Sequence, residues 1–123
     1  MITVNLKLLN KSSDVTKQKA LHELIKLFRD GPEKVLTMFV VNVAEAIIHH
    51  ARYPHVSVRI LLFTLLKTMM GRGKEVKHSL VPSLNALAAV WVCAMNEMER
   101  SVRSEAKSAF EIAFSPDKRV AML

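Results

Sequence analysis

Histidine and cysteine are the residues of this sequence best suited to metal binding or nucleophilic catalysis. His49 and His50 are adjacent, and His55 follows them closely. Neighbouring side chains on a helix point about 100° apart, so this pair does not converge on one ion as an i, i+4 pair does. Cys93, the single cysteine, lies in the most apolar stretch, where a thiol is expected to pack as a small hydrophobic group. The spacing predicts no metal site, no cofactor and no catalytic thiol.

Two other patterns could serve an enzyme, and both are weak. Glu45 and His49 stand one helical turn apart, but side-chain pairs at this spacing are common on helix surfaces. The run Gly71-Arg72-Gly73-Lys74 lacks the wider glycine spacing and the following Ser or Thr of a phosphate-binding loop. A single cysteine also excludes a zinc-bound ring built from several cysteines. The chain is therefore not expected to be an enzyme by itself.

The same turn is the best candidate for binding an anionic partner. Arg72, Lys74, Lys77 and His78 cluster there, and a helix that starts at Lys74 adds backbone N–H groups that attract anions. Residues 49–78 contain six Lys/Arg against one acidic residue, whereas the rest of the chain has twelve against ten. Such a positive block attracts RNA, phosphate or acidic protein. The alternative interpretation is a solvated basic face that only keeps an apolar chain soluble.

The elements that position these residues are predicted to be helices. Half of the 123 residues are apolar, and only three are Gly and four Pro, which disfavours a disordered chain and a β-rich domain. Apolar residues recur at helical spacing almost everywhere. The predicted helices are a short one within 2–9, one that includes 20–28, and four at about 32–52, 56–70, 74–96 and 99–114. Pro82 is expected to kink or split the fifth helix. The apolar stretch 80–95 is too short to cross a bilayer, so we expect a buried helix and no membrane contact.

An internal repeat groups these helices into pairs. Thr16-Lys17, Val58-Arg59 and Val102-Arg103 lie 42 and then 44 residues apart, and apolar residues follow each pair at steps of four. Two-helix units at about 40–47 residues are typical of HEAT and armadillo solenoids, because one hairpin cannot bury its own apolar face. The sequence thus predicts an all-α, HEAT/armadillo-like right-handed solenoid of about three helical hairpins, or six helices. An ordinary six-helix bundle is the alternative.

The repeat also sets the expected domain organisation. A single helical-repeat domain covers residues 1–123. The approximate repeats are 1–30, 31–71 and 72–115, and 116–123 is a tail or the start of a next repeat. The second residue of each repeated pair is basic, and we call these three residues the basic ladder: Lys17, Arg59 and Arg103. We expect a structural role for the basic ladder, with each head group bonded to a turn carbonyl or an acidic residue.

Several segments of the chain resemble the N-terminal region of the listerin family. The resemblance covers essentially the whole chain, although His55 and Val56 stand where such repeats often have an acidic residue. The matching residues are Leu8-Leu9-Asn10-Lys11, Thr16-Lys17, Lys19-Ala20, Glu23, Val58-Arg59, Lys77, Leu80, Pro82, Leu84, Leu87, Trp91, Ala94 and the run Ala106–Lys118.

This resemblance implies a non-catalytic scaffold segment of a large E3 ubiquitin ligase of ribosome-associated quality control. In that family the N-terminal region helps to dock the ligase on the large ribosomal subunit, beside the tRNA-binding nuclear export mediator factor. The catalytic ring lies at the far end of a long solenoid. We therefore expect a docking scaffold, with Arg72, Lys74, Lys77 and His78 as candidate contacts to ribosomal RNA. The alternative is a generic HEAT/armadillo adaptor for an acidic protein or peptide.

Two further expectations concern the environment of the chain. The lone thiol and the absence of an apolar leader in residues 1–10 fit a cytoplasmic protein. A stack that stops at Leu123 is expected to expose an apolar face meant for a further hairpin. We expect self-association through that face, near Ala109, Ala113 and residues 118–123.

Overall fold

A computed structural model describes residues 1–114, which fold into helices joined by short turns. No strand occurs in this part of the chain, and the all-α prediction is confirmed. The turn before the second helix supplies its cap, because the Ser13 hydroxyl accepts a hydrogen bond from the Thr16 N–H. The helices are α1 (Ile2–Leu9), α2 (Asp14–Asp30), α3 (Glu33–Thr37), α4 (Val40–His50), α5 (Val56–Arg72), α6 (Lys74–Ser79), α7 (Leu84–Met95) and α8 (Arg100–Ala113), with a single 3-10 turn at Val81–Ser83.

The longer helices form two layers. In the first layer α5 lies between α2 and α8, and in the second layer α4 contacts both α1 and α7. Across the layers α1 packs on α2, α4 on α5, and α7 on α8. The short helices α3 and α6 pack against each other, and they follow α2 and α5 in the chain. Each helix of the first layer therefore has a partner in the second.

Helix α5 is the most enclosed element of this arrangement. Among its seventeen residues only Gly71 is exposed, because α2, α8 and α4 cover its sides. Each large apolar side chain that leaves water contributes about 1.5–3 kcal/mol, so α5 carries a large share of the core. Its buried residues are Val58, Leu62, Phe63, Leu65, Leu66, Met69 and Met70.

The repeated apolar positions of the sequence meet in this core. The first position of each copy, at Ala20, Leu62 and Ala106, is at most 1% exposed. The last position, at Phe28, Met70 and Phe114, is at most 9% exposed. The repeat therefore places these residues on the side of each helix that packs against the neighbouring helices.

The prediction of six helices is wrong, because residues 1–114 contain eight α-helices. One of the two extra helices comes from the region 32–52, which is divided into α3 and α4. The Thr37 hydroxyl donates to the Lys34 carbonyl over 2.9 Å and competes with the helical backbone bonds there. Phe39 then leaves the helical region, with φ −113° and ψ 0°. The apolar spacing continues across this break, so the spacing alone does not reveal it.

The other extra helix results from Pro82, as the sequence analysis anticipates. The predicted fifth helix is divided into α6, the 3-10 turn and α7. Proline has no N–H to donate and its ring excludes the preceding turn of an α-helix. The piece that separates is the whole of α6, which is six residues long.

Trp91 connects the last two long helices. Its indole N–H donates to the Ala106 carbonyl of α8 over 2.9 Å. Its ring meets the Phe110 ring edge to face, with 5.8 Å between the centroids, a favourable aromatic geometry. Trp91 is 2% exposed, so this contact belongs to the core of the α7–α8 pair.

Candidate functional site

The basic turn of the sequence analysis (Arg72, Lys74, Lys77 and His78) lies at the junction of α5 and α6. Gly73 is the only residue between the two helices. Its backbone has φ 157° and ψ 173°, a region used almost only by glycine. This conformation allows the chain to change direction within one residue, so that Arg72 and Lys74 belong to different helices.

Arg72 is only partly exposed, and its side chain is bonded within the protein. Its guanidinium donates to the Arg29 carbonyl over 2.9 Å and also to the Gly31 carbonyl. Both carbonyls lie at the C-terminal end of α2, where backbone acceptors have no helical partner. The Arg72 side chain therefore caps α2 and ties it to the end of α5.

Lys74 and His78 are the exposed members of the basic turn. They line an open cleft of about 540 Å³ between α3 and α6, together with Thr37, Glu75 and Ser79. Lys77 is half-buried, and its ammonium lies 5.8 Å from the centroid of the Phe114 ring. The cations that a partner can reach at this turn are thus fewer than the sequence suggests.

The basic ladder bonds to turn carbonyls in all three copies. Lys17 donates to the Leu9 carbonyl at the end of α1. Arg59 donates to the Tyr53 and Pro54 carbonyls over 2.8 and 2.7 Å. Arg103 donates to the Glu97 carbonyl over 3.1 Å. Each ladder residue therefore reaches the turn that precedes its own helix, at the C-terminal end of a helix of the second layer.

Two ion pairs link α5 to the part of the chain that follows α6. The Arg59 guanidinium contacts the Glu97 carboxylate at 2.5 Å, and both side chains are mostly buried. The Lys67 ammonium contacts the Glu105 carboxylate at 2.5 Å, and the Thr64 hydroxyl donates to the same carboxylate. These pairs use basic residues of the positive block for internal contacts.

His50 is a buried histidine at the end of α4. It is 7% exposed, and its ring meets the His49 ring edge to face with 4.8 Å between the centroids. Burial, together with the positive charges of Lys17 and His49, lowers the pKa of His50 to about 4. His50 is therefore neutral at pH 7.

Cys93 is exposed, which corrects the expectation of a packed thiol. It belongs to the outer side of α7, between the buried residues Trp91 and Ala94. Glu45 and His49 are also both exposed, and no hydrogen bond joins them in the structure.

Across residues 1–114, no three His, Cys, Asp or Glu side chains come together as a metal site would require. None of the helices in that range has the length and apolarity needed to cross a membrane.

The structure also alters the surface expected for self-association. Ala109 and Ala113 are fully buried inside the chain, because they lie on the side of α8 that packs against its neighbours. They cannot form part of an exposed face. Residues 118–123, the other part of the expected surface, lie outside the described residues.

A stability measurement distinguishes the capping role of Arg72 from the exposed position of Lys74 in the basic turn. We expect Arg72→Met to lower the free energy of unfolding by about 1–3 kcal/mol, because two carbonyls at the end of α2 lose their charged donor. Lys74→Met is the matched control, and an exposed change of this kind stays within about 0.5 kcal/mol. Urea unfolding followed by circular dichroism measures both. Equal effects of the two substitutions would contradict the capping role of Arg72.

The pKa of His50 predicts how stability depends on pH. The unfolded state binds a proton at His50 below about pH 6.5, whereas the folded state does so only near pH 4. The contribution of His50 to the free energy of unfolding is therefore complete above pH 6.5, and it falls by about 3 kcal/mol as the pH drops to 4. We expect His50→Gln to remove this part of the pH dependence, and His22→Gln, on an exposed residue, to leave it. A His50 ring that titrates near 6.5 by NMR would contradict the prediction.

Comparison with known proteins identifies a family. A search of the curated proteins finds no relative. The family model described as "E3 ubiquitin-protein ligase listerin, N-terminal domain" matches residues 1–123, which is the whole chain. This confirms the resemblance that the sequence analysis based on matching segments, chiefly those around Pro82, Trp91 and residues 106–118. The chain belongs to the listerin N-terminal domain family.

Proposed function

We propose that this chain is a non-catalytic scaffold that docks a listerin-type E3 ubiquitin ligase on the large ribosomal subunit. Its mechanism is positional: a stiff stack of helices holds an accessible basic turn at a fixed place and orientation. The observation that carries the proposal is the family match over all 123 residues. The accessible Lys74 ammonium and the exposed His78 side chain beside an open cleft supply hydrogen-bond donors suited to phosphate.

The architecture that we propose for this scaffold is a right-handed HEAT/armadillo-like solenoid. Two features support it. The helices pair across two layers, and in each pair a basic side chain closes the turn between the two members. Repeated hairpins are expected to form the same bond between a basic side chain and a turn carbonyl at the same position of each repeat. An ordinary bundle does not require this recurrence.

The setting of the proposed function follows from the family. A ligase segment that binds ribosomes works in the cytoplasm, and its neighbour on the large subunit would be the tRNA-binding nuclear export mediator factor. Ribosomal RNA is the contact that the basic turn suits best, since phosphate oxygens accept hydrogen bonds from ammonium groups and from imidazole N–H groups. Arg72 serves this contact only indirectly, by holding α5 and α2 together beneath the turn.

Sedimentation with purified large ribosomal subunits tests this function. We expect the double variant Lys74→Glu/His78→Glu to lower the affinity about tenfold at low salt, because phosphate contacts dominate such binding. The double variant Lys19→Glu/His22→Glu is the matched control. It makes the same changes of residue type at exposed positions of α2, away from the basic turn.

Salt dependence and specificity complete the test. The affinity of the unchanged chain should fall steeply as the salt concentration rises, and the slope should be smaller for Lys74→Glu/His78→Glu. Binding that neither double variant alters would contradict the basic turn as the contact. A complete absence of sedimentation with the subunit, with binding to acidic protein instead, would favour the adaptor function.

A further inference from the structure

A second basic cleft lies at the opposite end of α5 from the basic turn, near the residues that precede this helix. It has a volume of about 420 Å³ and opens among the ends of α1 and α4 and the first turns of α2. None of the residues that line it is acidic. The lining residues are Asn10, Lys17, His49, His50, Arg52 and Tyr53.

Two of the lining side chains are buried polar groups. Lys17 is 4% exposed and His50 is 7% exposed. The Lys17 ammonium donates to the Leu9 carbonyl and lies over the Tyr53 ring, 4.6 Å from its centroid. The His50 ring has no hydrogen bond with any residue of 1–114. The buried side-chain nitrogens without a partner in the described residues are His55 Nδ1 and Arg72 Nε, so the unbonded ring nitrogens of His50 are not enclosed. They are open to the cleft, where a ligand can bond to them.

Asp14, the acidic residue whose charge acts on Lys17, accepts its hydrogen bond from another group. Asp14 accepts a hydrogen bond from the Tyr53 hydroxyl over 2.5 Å, and its other oxygen lies 4.0 Å from His55 Nε2. The bond to Asp14 raises the pKa of Tyr53. At the end of α1, the Leu9 carbonyl is already bonded to Lys17. The cleft therefore keeps the positive charges of Lys17 and Arg52, with the two histidines as further donors.

We propose that this cleft binds a carboxylate group of an acidic segment of a partner protein. Arg52 is exposed at the rim and offers a planar fork that matches a carboxylate in two hydrogen bonds. Lys17 and His50 would meet the same carboxylate from the inner side.

A protein carboxylate fits this cleft better than the phosphate backbone of RNA. The cations converge on one recess, whereas RNA backbones need cations spread along a track. A single acidic side chain can enter such a recess.

NMR titration of the 123-residue chain with a hexaglutamate peptide tests the proposal. We expect shifts of the resonances of His49, His50 and Tyr53, and saturable binding. The bound carboxylate should raise the pKa of His50 from its depressed value, because an anion now offsets Lys17 of α2 and His49 and Arg52 at the end of α4. A site without a ligand role would show no such change of pKa.

Substitutions at the rim locate the binding without disturbing the fold. We expect Arg52→Glu to weaken hexaglutamate binding about tenfold or more, because a charge-assisted bidentate contact is lost. Lys26→Glu is the matched control, since it makes the same change of charge at an exposed position of α2. Equal weakening by both variants would mean diffuse attraction and would overturn the site.

Two other outcomes would overturn the proposed carboxylate site. Binding of an oligouridylate RNA to the same resonances, with no binding of hexaglutamate, would overturn the proposal in favour of an RNA contact. Absence of binding by either probe would overturn it as well. The proposal is independent of ribosome docking, because Lys74→Glu/His78→Glu should leave hexaglutamate binding unchanged.

Discussion

Burial of α5 is the constraint on which the rest of the structure depends. This helix has apolar residues on most of its circumference, and a helix of that kind is stable in water only when neighbours cover it on several sides. Helices α2 and α8 cover two sides and α4 covers a third. The order of the first layer follows from this requirement, and the second layer forms because each outer hairpin must also cover its own apolar face.

The basic side chains complete this arrangement and at the same time restrict what can bind. Arg59, Lys67 and Arg72 all belong to α5, and each is bonded to another part of the chain. A formal charge of +7 therefore overstates the positive surface open to a partner. Within the positive block of residues 49–78, the exposed cations lie in two separate places, the basic turn with Lys74 and the cleft with Arg52. These two places lie at different ends of α5, so one scaffold could hold two partners at the same time.

Periodicity made most of the fold predictable, because apolar side chains at helical spacing report directly on burial. The repeat placed Ala20, Leu62 and Ala106 correctly in the core. The break in the predicted fifth helix was also predictable, because Pro82 has no N–H to donate. The break between α3 and α4 was not predictable in this way, since it depends on the side chain of Thr37 and on backbone angles at Phe39. Site residues were harder still. Whether Arg72 faces a partner or the end of α2, and whether Cys93 is covered, depends on the neighbouring helices, which single-sequence spacing does not position.

Native-state hydrogen exchange of the α5 amides tests most directly whether this helix is the enclosed centre of the stack. Amides that open only when the whole domain unfolds exchange with a free energy equal to that of global unfolding. The account predicts this equality for the amides of Leu62 and Leu66, with lower values for α1, which has fewer neighbours. Exchange of the Leu62 and Leu66 amides as readily as those of α1, well below the free energy of unfolding measured in urea, would contradict it.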